Sequence, residues 1–490
     1  MKKKFLVSVL AVMMLLAIAL TGCQSSNNSS NSSPSAKKYT IATDATYAPF
    51  EFRLGNKYQG IDIDILDAVA KKENFTYDLK PMNFNGIIPA LQANQVDGAI
   101  SGMSITDERK QTLDFSSSYY DSGLCIVSKS SNNSIKKVSD IKGKVAALKK
   151  GTAGAAYAEA NKDKYGLTLK YFDDSPSMFQ AVINGNADIT FEDYPVIAYK
   201  VSIDKNSGLR IVENKKITTS PYGFAVKKGQ NKELLKKFND GLKKIKSDGE
   251  YDKIIKKYIS TGNEAHKQAQ NETQTNNMTL IKQSFPQLLK GLEMTLFITV
   301  IAMLIAIVIG AMLGFFSIST SRILKTISRW FVDIIRGTPL LVQAFFIFFG
   351  IPGLTGLKIN PIVAGIIAVS LNAGAYMSEI FRGGILSIDK GQMEAARSLG
   401  VPYKTAMLKI VFPQAVKVMI PSIVNQFIIS LKDTSILSVI GIQELTNTGQ
   451  IIIGATFKAF QIWLIVAIMY FVIIKLLSIL SRKIERYVKI

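Results

Sequence analysis

Leu292–Phe316, LEMTLFITVIAMLIAIVIGAMLGFF, decides the architecture of the C-terminal half. After Glu293 it carries no charge to its end. A helix crosses a bilayer core with about 20 consecutive, mostly apolar residues, and this segment meets that need. Four more apolar segments follow: Leu340–Ile351, Pro361–Phe381, Val416–Ile440 and Phe460–Leu480. The expectation is an all-α membrane domain over 285–490 with about five transmembrane helices. The connecting segments alternate in charge. Ser317–Gly337 holds Arg322, Lys325, Arg329 and Arg336, Pro352–Asn360 only Lys358. Arg382–Lys417 is basic again, Gly441–Thr456 has neither Lys nor Arg, and the tail carries Arg482, Lys483, Arg486 and Lys489. Basic loops mark the cytoplasmic side, so the start of this domain is expected outside and its end inside. Much of the net charge of +22 is thereby assigned to topology, and no nucleic-acid partner is expected.

Toward the N-terminus, 38–260 reads as a soluble, Lys-rich α/β domain. Strands are expected at Tyr39–Thr43, Val96–Ser101, Val145–Leu148 and Ala187–Phe191, with helices beginning at Ile65 and Phe84. The polar segment 261–284 reads as a linker; a flexible chain of that kind spans about 25 Å. At the start, Lys2–Lys4, the apolar run Phe5–Leu20 and then Thr21-Gly22-Cys23 describe an export signal over 1–23. Residues 24–37, mostly Ser and Asn, read as a tether. Cys125 has no disulfide partner in the exported domain and is expected to be buried and inert, and a single His, His266, argues against a metal site. Lys432 and Asp433 fall inside an apolar segment, where charges are costly unless paired or lining a cavity, so they are candidates for a membrane path.

Between the third and fourth apolar segments stands Glu394-Ala395-Ala396-Arg397-Ser398-Leu399-Gly400, then nine residues, then Ile410-Val411-Phe412-Pro413. Two short helices are expected here, broken at Gly400, where glycine adopts positive φ without penalty. Ala395 and Ala396 leave a smooth helix face, and Glu394 is free for an ion pair. This pattern resembles the coupling loop of ATP-binding-cassette importer permeases, with Phe412 where Leu is usual. Arg336-Gly337-Thr338-Pro339 is also similar to polar amino-acid permeases, and reads equally as a Gly-Pro break entering a span. No Gly-x-x-x-x-Gly-Lys-Ser/Thr loop occurs. The resemblance therefore implies no cofactor on this chain, with ATP and Mg on a separate cytoplasmic ATPase, and a homodimer, since such importers need two permease halves. It also makes Cys23, after Leu20-Thr21-Gly22, resemble a lipoprotein processing site.

The exported domain carries Ala42-Thr43-Asp44-Ala45-Thr46-Tyr47-Ala48-Pro49-Phe50-Glu51-Phe52, Gly60-Ile61-Asp62-Ile63-Asp64-Ile65, Ser104-Ile105-Thr106-Asp107-Glu108-Arg109 and Asp114-Phe115-Ser116. These resemble periplasmic polar amino-acid-binding proteins, the glutamine binders above all. The resemblance implies a type II two-lobe clamp with hinges near Tyr119–Gly123 and Ile217–Tyr222. It also implies a site. Arg109 would grip the ligand α-carboxylate, a task suited to its planar fork, with Ser104 and the backbone at Thr152 and Ala153 beside it. Asp193 and the Gly102 carbonyl would take the α-ammonium, and Tyr47 and Phe84 would sandwich the stem. Asp44 and Lys149 would meet the side-chain tip. An acceptor and a donor together suit a carboxamide, hence glutamine first, asparagine next, with glutamate a further candidate. Two positions depart from the glutamine binders: Ala153 stands for Gly, and Glu192 for His. Asp62 and Asp64 are expected as caps or turn formers.

The combined expectation is a multi-pass plasma-membrane subunit of an amino-acid importer, its clamp outside and its coupling loop and C-terminus inside. An amino-acid-gated receptor or channel is the alternative, because ionotropic glutamate receptors share the clamp. Such a channel would need a pore loop and no Glu-Ala-Ala loop. An enzyme on the dehydratase version of the clamp would need paired acid and base groups, which do not emerge.

Overall fold

The computed structural model describes residues 37–55, 57–204, 206–213, 215–259, 277–456 and 458–488. The signal segment, Cys23, the tether before Lys37, and His266 lie outside the described residues.

The α/β part is a clamp of two lobes, each built on a five-stranded sheet. In the first lobe the strand order is Thr76–Pro81, Lys38–Thr43, Gly98–Ala99, Ala225–Lys227, Leu113–Phe115. In the second it is Thr168–Phe172, Val145–Lys149, Ile189–Asp193, Leu124–Lys129, Leu209–Ile211. The chain crosses between lobes twice, and the crossings pair as antiparallel strands, Tyr120–Ser122 with Ser220–Tyr222. A small three-stranded sheet, Thr46–Tyr47, Glu51–Leu54 and Lys57–Gln59, folds over the first lobe. The Val96–Ser101 strand shortens to Gly98–Ala99. Gly98 sits where a Cβ would come 2.4 Å from the Phe224 ring, so the strand tolerates no side chain there.

The first lobe folds around the helix Ile61–Lys72, whose Ile61, Ile65, Leu66 and Val69 are fully buried. Against it lies Lys232–Ser247, which buries Leu234, Phe238, Leu242 and Ile245. Those positions recur every three to four residues, the spacing of one helix face. Lysines fill the opposite face.

Among the described residues of the membrane part, four helices are long and apolar enough to cross a bilayer: Thr279–Ile318, Pro361–Leu386, Tyr403–Ile440 and Ala459–Lys483. A fifth crossing is available if Arg322–Arg336 and Leu340–Thr355, bent by 99° at their junction, form one broken span. The sequence placed the second apolar segment at Leu340–Ile351 and took Ser317–Gly337 as a loop. The structure instead makes Arg322–Arg336 an amphipathic helix, with Ile323, Ile327, Trp330 and Ile334 exposed along one stripe and basic residues beside it. Pro339 caps the following helix, and Gln343 Nε2 closes the corner with bonds to the carbonyls of Ile335 (2.7 Å) and Thr338 (3.0 Å). A residue before proline is driven out of the α region, which fixes the bend at Thr338.

A second correction concerns the linker. The first long helix starts at Asn277, inside the segment 261–284 expected to lack structure. Leu280 and Leu288 are buried against Leu445, Ile452 and Ile462, and this tertiary contact extends the helix through its polar first turns.

Candidate functional site

The parallel strands of both lobes point their carboxyl ends at the cleft, the usual binding place in open α/β sheets. Asp44 follows Lys38–Thr43, Gly102 and Ser104 follow Gly98–Ala99, Lys149 ends Val145–Lys149, and Asp193 ends Ile189–Asp193. Thr152 caps the helix Ala153–Ala160, its hydroxyl accepting from Ala155 N–H. Tyr47, Phe84, Gly102, Ser104, Arg109, Lys149, Thr152, Ala153 and Asp193 line one small cavity. Asp44 lies directly behind Lys149, bonded to it at 2.6 Å. The fold thus brings together all ten positions carried over from the resemblance.

The lobes are shut against each other. Lys149 of the second lobe holds Asp44 of the first, and Tyr47 of the first donates its hydroxyl to Asp193 (2.5 Å) and Glu192 (2.9 Å) of the second. Arg109 donates to the Ser104 carbonyl (2.7 Å) on its own side and the Gly151 carbonyl (2.8 Å) across the cleft. The enclosed volume, about 10 Å³, is room for roughly one water. An amino acid does not fit this space until the lobes part.

Aromatic faces meet cations here. The Lys149 ammonium lies 4.8 Å from the Tyr47 ring centre and 5.3 Å from that of Phe84, with Arg109 5.5 Å from Phe84. Burial opposes the charge on Lys149, but the adjoining Asp44 carboxylate wins and holds its pKa above the ordinary ammonium range. Burial lifts Asp193 above the usual carboxylate value. Burial, reinforced by the neighbouring Asp193, pushes Glu192 up to about 7. Glu192 keeps its place by accepting both the Tyr47 hydroxyl and the Asp193 N–H at 2.8 Å.

Beneath the cavity is a layer that the sequence reading missed. Asp44 N–H donates to Ser101 Oγ (2.9 Å), which donates to Glu51 (2.7 Å). Asp62 accepts from Gly102 N–H (2.7 Å) and the Tyr119 hydroxyl (2.8 Å), while its second oxygen and one oxygen of Glu51 are buried with no partner among the described residues. Taking a carboxylate out of water favours its protonated form. Burial accordingly raises Glu51 well above its ordinary value and Asp62 to about 6. Asp62 is therefore no cap: it ties the hinge residue Tyr119 to the Gly102 turn. Asp64 pairs with Lys257 at 2.7 Å instead of capping. The Asp62 signal was present in Gly60-Ile61-Asp62, but its partners lie 40 and 57 positions away.

In the membrane part, Lys390–Ser398 and Tyr403–Ala406 form the two expected short helices, and Gly400 between them has φ +79°. Glu394 and Ala395 are exposed, but Ala396 is buried at the contact with the second short segment. The smooth outer face expected from both alanines therefore reduces to Ala395. Ile410 is half-buried and Pro413 exposed. Leu399, Tyr403 and Leu408 stand bare, Leu399 at 84 % exposure. Lys432 is exposed and Asp433 half-buried at the end of Phe412–Asp433, and no salt bridge joins either to another described residue. A separate cavity of about 700 Å³ lies between Pro361–Leu386 and Phe412–Asp433, lined by Arg336, Tyr376, Glu379, Asn425 and Gln426.

Comparison with known families and proteins gives two family matches. Residues 39–261 match the bacterial extracellular solute-binding proteins, family 3, and residues 306–490 match the binding-protein-dependent transport system inner membrane component. The glutamine transport system permease protein GlnP of Escherichia coli K12 is 41% identical over 208 residues, 42% of this chain and 95% of that protein. The arginine transport system permease protein ArtQ of Bacillus subtilis 168 is 38% identical over 204 residues, 42% of this chain and 93% of that protein. Among solved structures, substrate-binding domain 2 of Lactococcus lactis GlnP in its open conformation is 41% identical. It covers 47% of this chain and 98% of its own, with a TM-score of 0.36.

Proposed function

For a chain that belongs to the binding-protein-dependent inner-membrane transport family and carries a family 3 solute-binding domain, we propose that the amino acid it imports is glutamine. Its fused domains make it the solute-binding and permease subunit of an ABC amino-acid importer, a transporter subunit and not an enzyme or a gated channel.

The observation that carries the glutamine reading is the buried Lys149–Asp44 pair at 2.6 Å, set against a cavity that also holds Arg109 and Asp193. A carboxamide satisfies both members of that pair, its NH₂ donating to Asp44 and its carbonyl accepting from Lys149. A carboxylate tip opposes Asp44, and an ammonium tip opposes Lys149. Arg109 and Asp193 take the α-carboxylate and α-ammonium, and Tyr47 and Phe84 enclose the stem. The permease relatives named for glutamine and arginine transport are consistent with a polar amino acid.

The remaining machinery follows from the same reading. The clamp faces outward and is held at the membrane through a lipid on Cys23. The Glu394–Pro413 loop docks, through Glu394 and the bare Leu399, Tyr403 and Leu408, on a separate ATPase that binds ATP and Mg. Two copies of the chain form the permease, with Lys432, Asp433 and the 700 Å³ cavity along the path. Calorimetry of the full chain in detergent tests the specificity: glutamine is expected to bind at least about tenfold tighter than glutamate, lysine or arginine, a difference of about 1.4 kcal/mol. Lysine binding as tightly as glutamine would sink the assignment.

A further inference from the structure

We propose that the helix Leu445–Thr456 reads closure of the clamp and passes it to the membrane spans, touching the two lobes through Gln450 and Gly454; this deepens the importer reading above and rests on it. Residues four apart lie on one helix face, so Gln450 and Gly454 present a single edge to the clamp. Gly454 meets the first lobe: a Cβ there would come 2.9 Å from Thr46 Cα. Thr46 leads directly to the pocket. Its N–H (2.9 Å) and hydroxyl (2.7 Å) both donate to Asp44 Oδ1, while Asp44 Oδ2 holds Lys149. Gln450 meets the second lobe, its Nε2 3.4 Å from Asp174 Oδ2, where Asp174 caps the helix Ser175–Ile183 through Ser177 N–H.

The other end of the helix is fixed to the membrane spans. The buried Glu444 carboxylate accepts the N–H groups of Thr446 (2.8 Å) and Asn447 (2.6 Å) and the Tyr470 hydroxyl of the last span (3.2 Å). Leu445 N–H donates to Thr295 Oγ1 of the first span (3.2 Å). Gly291 on that span lies so close that a Cβ would sit 2.7 Å from Thr448 Oγ1. A rigid rod seated on two spans at one end and on two lobes along its edge transmits displacement.

The lobes are not held alike. Arg53 donates to Gln443 Oε1 (3.0 Å), Gln443 to the Tyr58 hydroxyl (2.7 Å), and Lys358 pairs with Asp97 (3.1 Å). Those contacts all anchor the first lobe, whose position they fix whether the clamp is open or shut. The second lobe swings about the paired hinge strands, and the Gln450–Asp174 contact forms when it arrives. That contact is long, and Gln450 Oε1 is buried with no partner among the described residues, so the contact breaks at little cost. A reporter has to be reversible.

The test uses the full chain with its partner ATPase in liposomes and glutamine as the probe. Gln450→Glu sets a carboxylate against Asp174 and is expected to cut glutamine-stimulated ATP hydrolysis about tenfold. Its basal hydrolysis and its glutamine affinity are expected within about twofold of the parent, a difference under ~0.5 kcal/mol. Gln450→Lys pairs with Asp174 and is expected to keep the stimulation. Full stimulation in Gln450→Glu, or the same loss in both variants, overturns the proposal. A second readout needs no ATPase. In the full chain bearing Gln450→Cys and Asp174→Cys, copper-catalysed oxidation is expected to form the cross-link at least about tenfold faster with glutamine than without, and equal rates overturn the proposal. If the cross-link answers to a different amino acid and not to glutamine, the ligand assignment fails while the helix keeps its role.

Discussion

The clamp site and the coupling loop are built on opposite plans. The clamp site collects Asp44, Tyr47, Arg109, Lys149 and Asp193 from separate strands and a short helix of two lobes and buries every one of them. The loop is one continuous stretch, Glu394–Pro413, and leaves Leu399, Tyr403 and Leu408 exposed. The first is complete within the chain, with hydrogen bonds across the cleft at 2.5–2.8 Å. The second stays open along its outer side, as the proposed docking of a separate ATPase requires. Burial separates a site that folding finishes from a surface that folding leaves exposed.

Substitutions in the two regions therefore break different steps. Arg109→Ala has the largest expected effect. Losing a buried charged partner costs about 2–5 kcal/mol, so calorimetry of the full chain is expected to show glutamine affinity down at least about 30-fold. Affinity within a few-fold of the parent would show that Arg109 does not hold the ligand. Gly400→Val is expected to leave that affinity alone. Its Cβ has open space around it, but φ +79° strains any side chain, and a β-branched one most. Such a conformation costs on the order of 1–3 kcal/mol, and uptake in proteoliposomes is expected to fall about tenfold as the second short helix is misdirected. Lost glutamine binding in Gly400→Val would erase the contrast between the regions.

The smallest effect sharpens the clamp side. Glu192 holds its proton up to about 7 in the folded protein, against an ordinary 4.5. Its folded form binds a proton that the unfolded chain releases, so its contribution to stability falls as pH rises through that window and the cost persists above it. Glu192→Gln retains an acceptor for Tyr47 and for Asp193 N–H without the charge. The variant's clamp is expected to gain stability relative to the parent between pH 5 and 8, on the order of 2 kcal/mol at the upper end. Thermal unfolding across that range checks it, and a constant offset at every pH would show that Glu192 does not titrate there.

The fold was legible wherever a local pattern is enforced by solvent. The apolar run Leu292–Phe316 lies within the long first span, and Gly400 takes the positive φ its place between two short helices demanded. Strand ends carrying Asp44, Lys149 and Asp193 were found through resemblance, since each residue alone passes for an ordinary surface or core group. Illegible features depend on contacts far along the chain. The polar turns before Leu292 look like linker until Leu280 meets its buried partners near Ile452. Gly441–Thr456 was read for its missing lysines alone, yet Ile451, Ile452 and Ile453 are all buried in a helix that reaches the clamp. Glu51 and Asp62 are both pushed toward the protonated form because the fold takes two carboxyls out of water together, and no spacing along the sequence announces that.

The clamp is seated on the membrane domain by polar contacts, among them Lys358–Asp97, Arg53–Gln443 and Gln450–Asp174, and by apolar ones, with Ala455 and Phe349 packed against the clamp's cores. Here 17 residues, 260–276, join the clamp to the first span, and even at full stretch they reach no farther than about 60 Å. Docking is then an intramolecular event at an effective concentration that a short tether holds near the millimolar range. Seating of the clamp on the spans then does not depend on how many separate copies the cell makes.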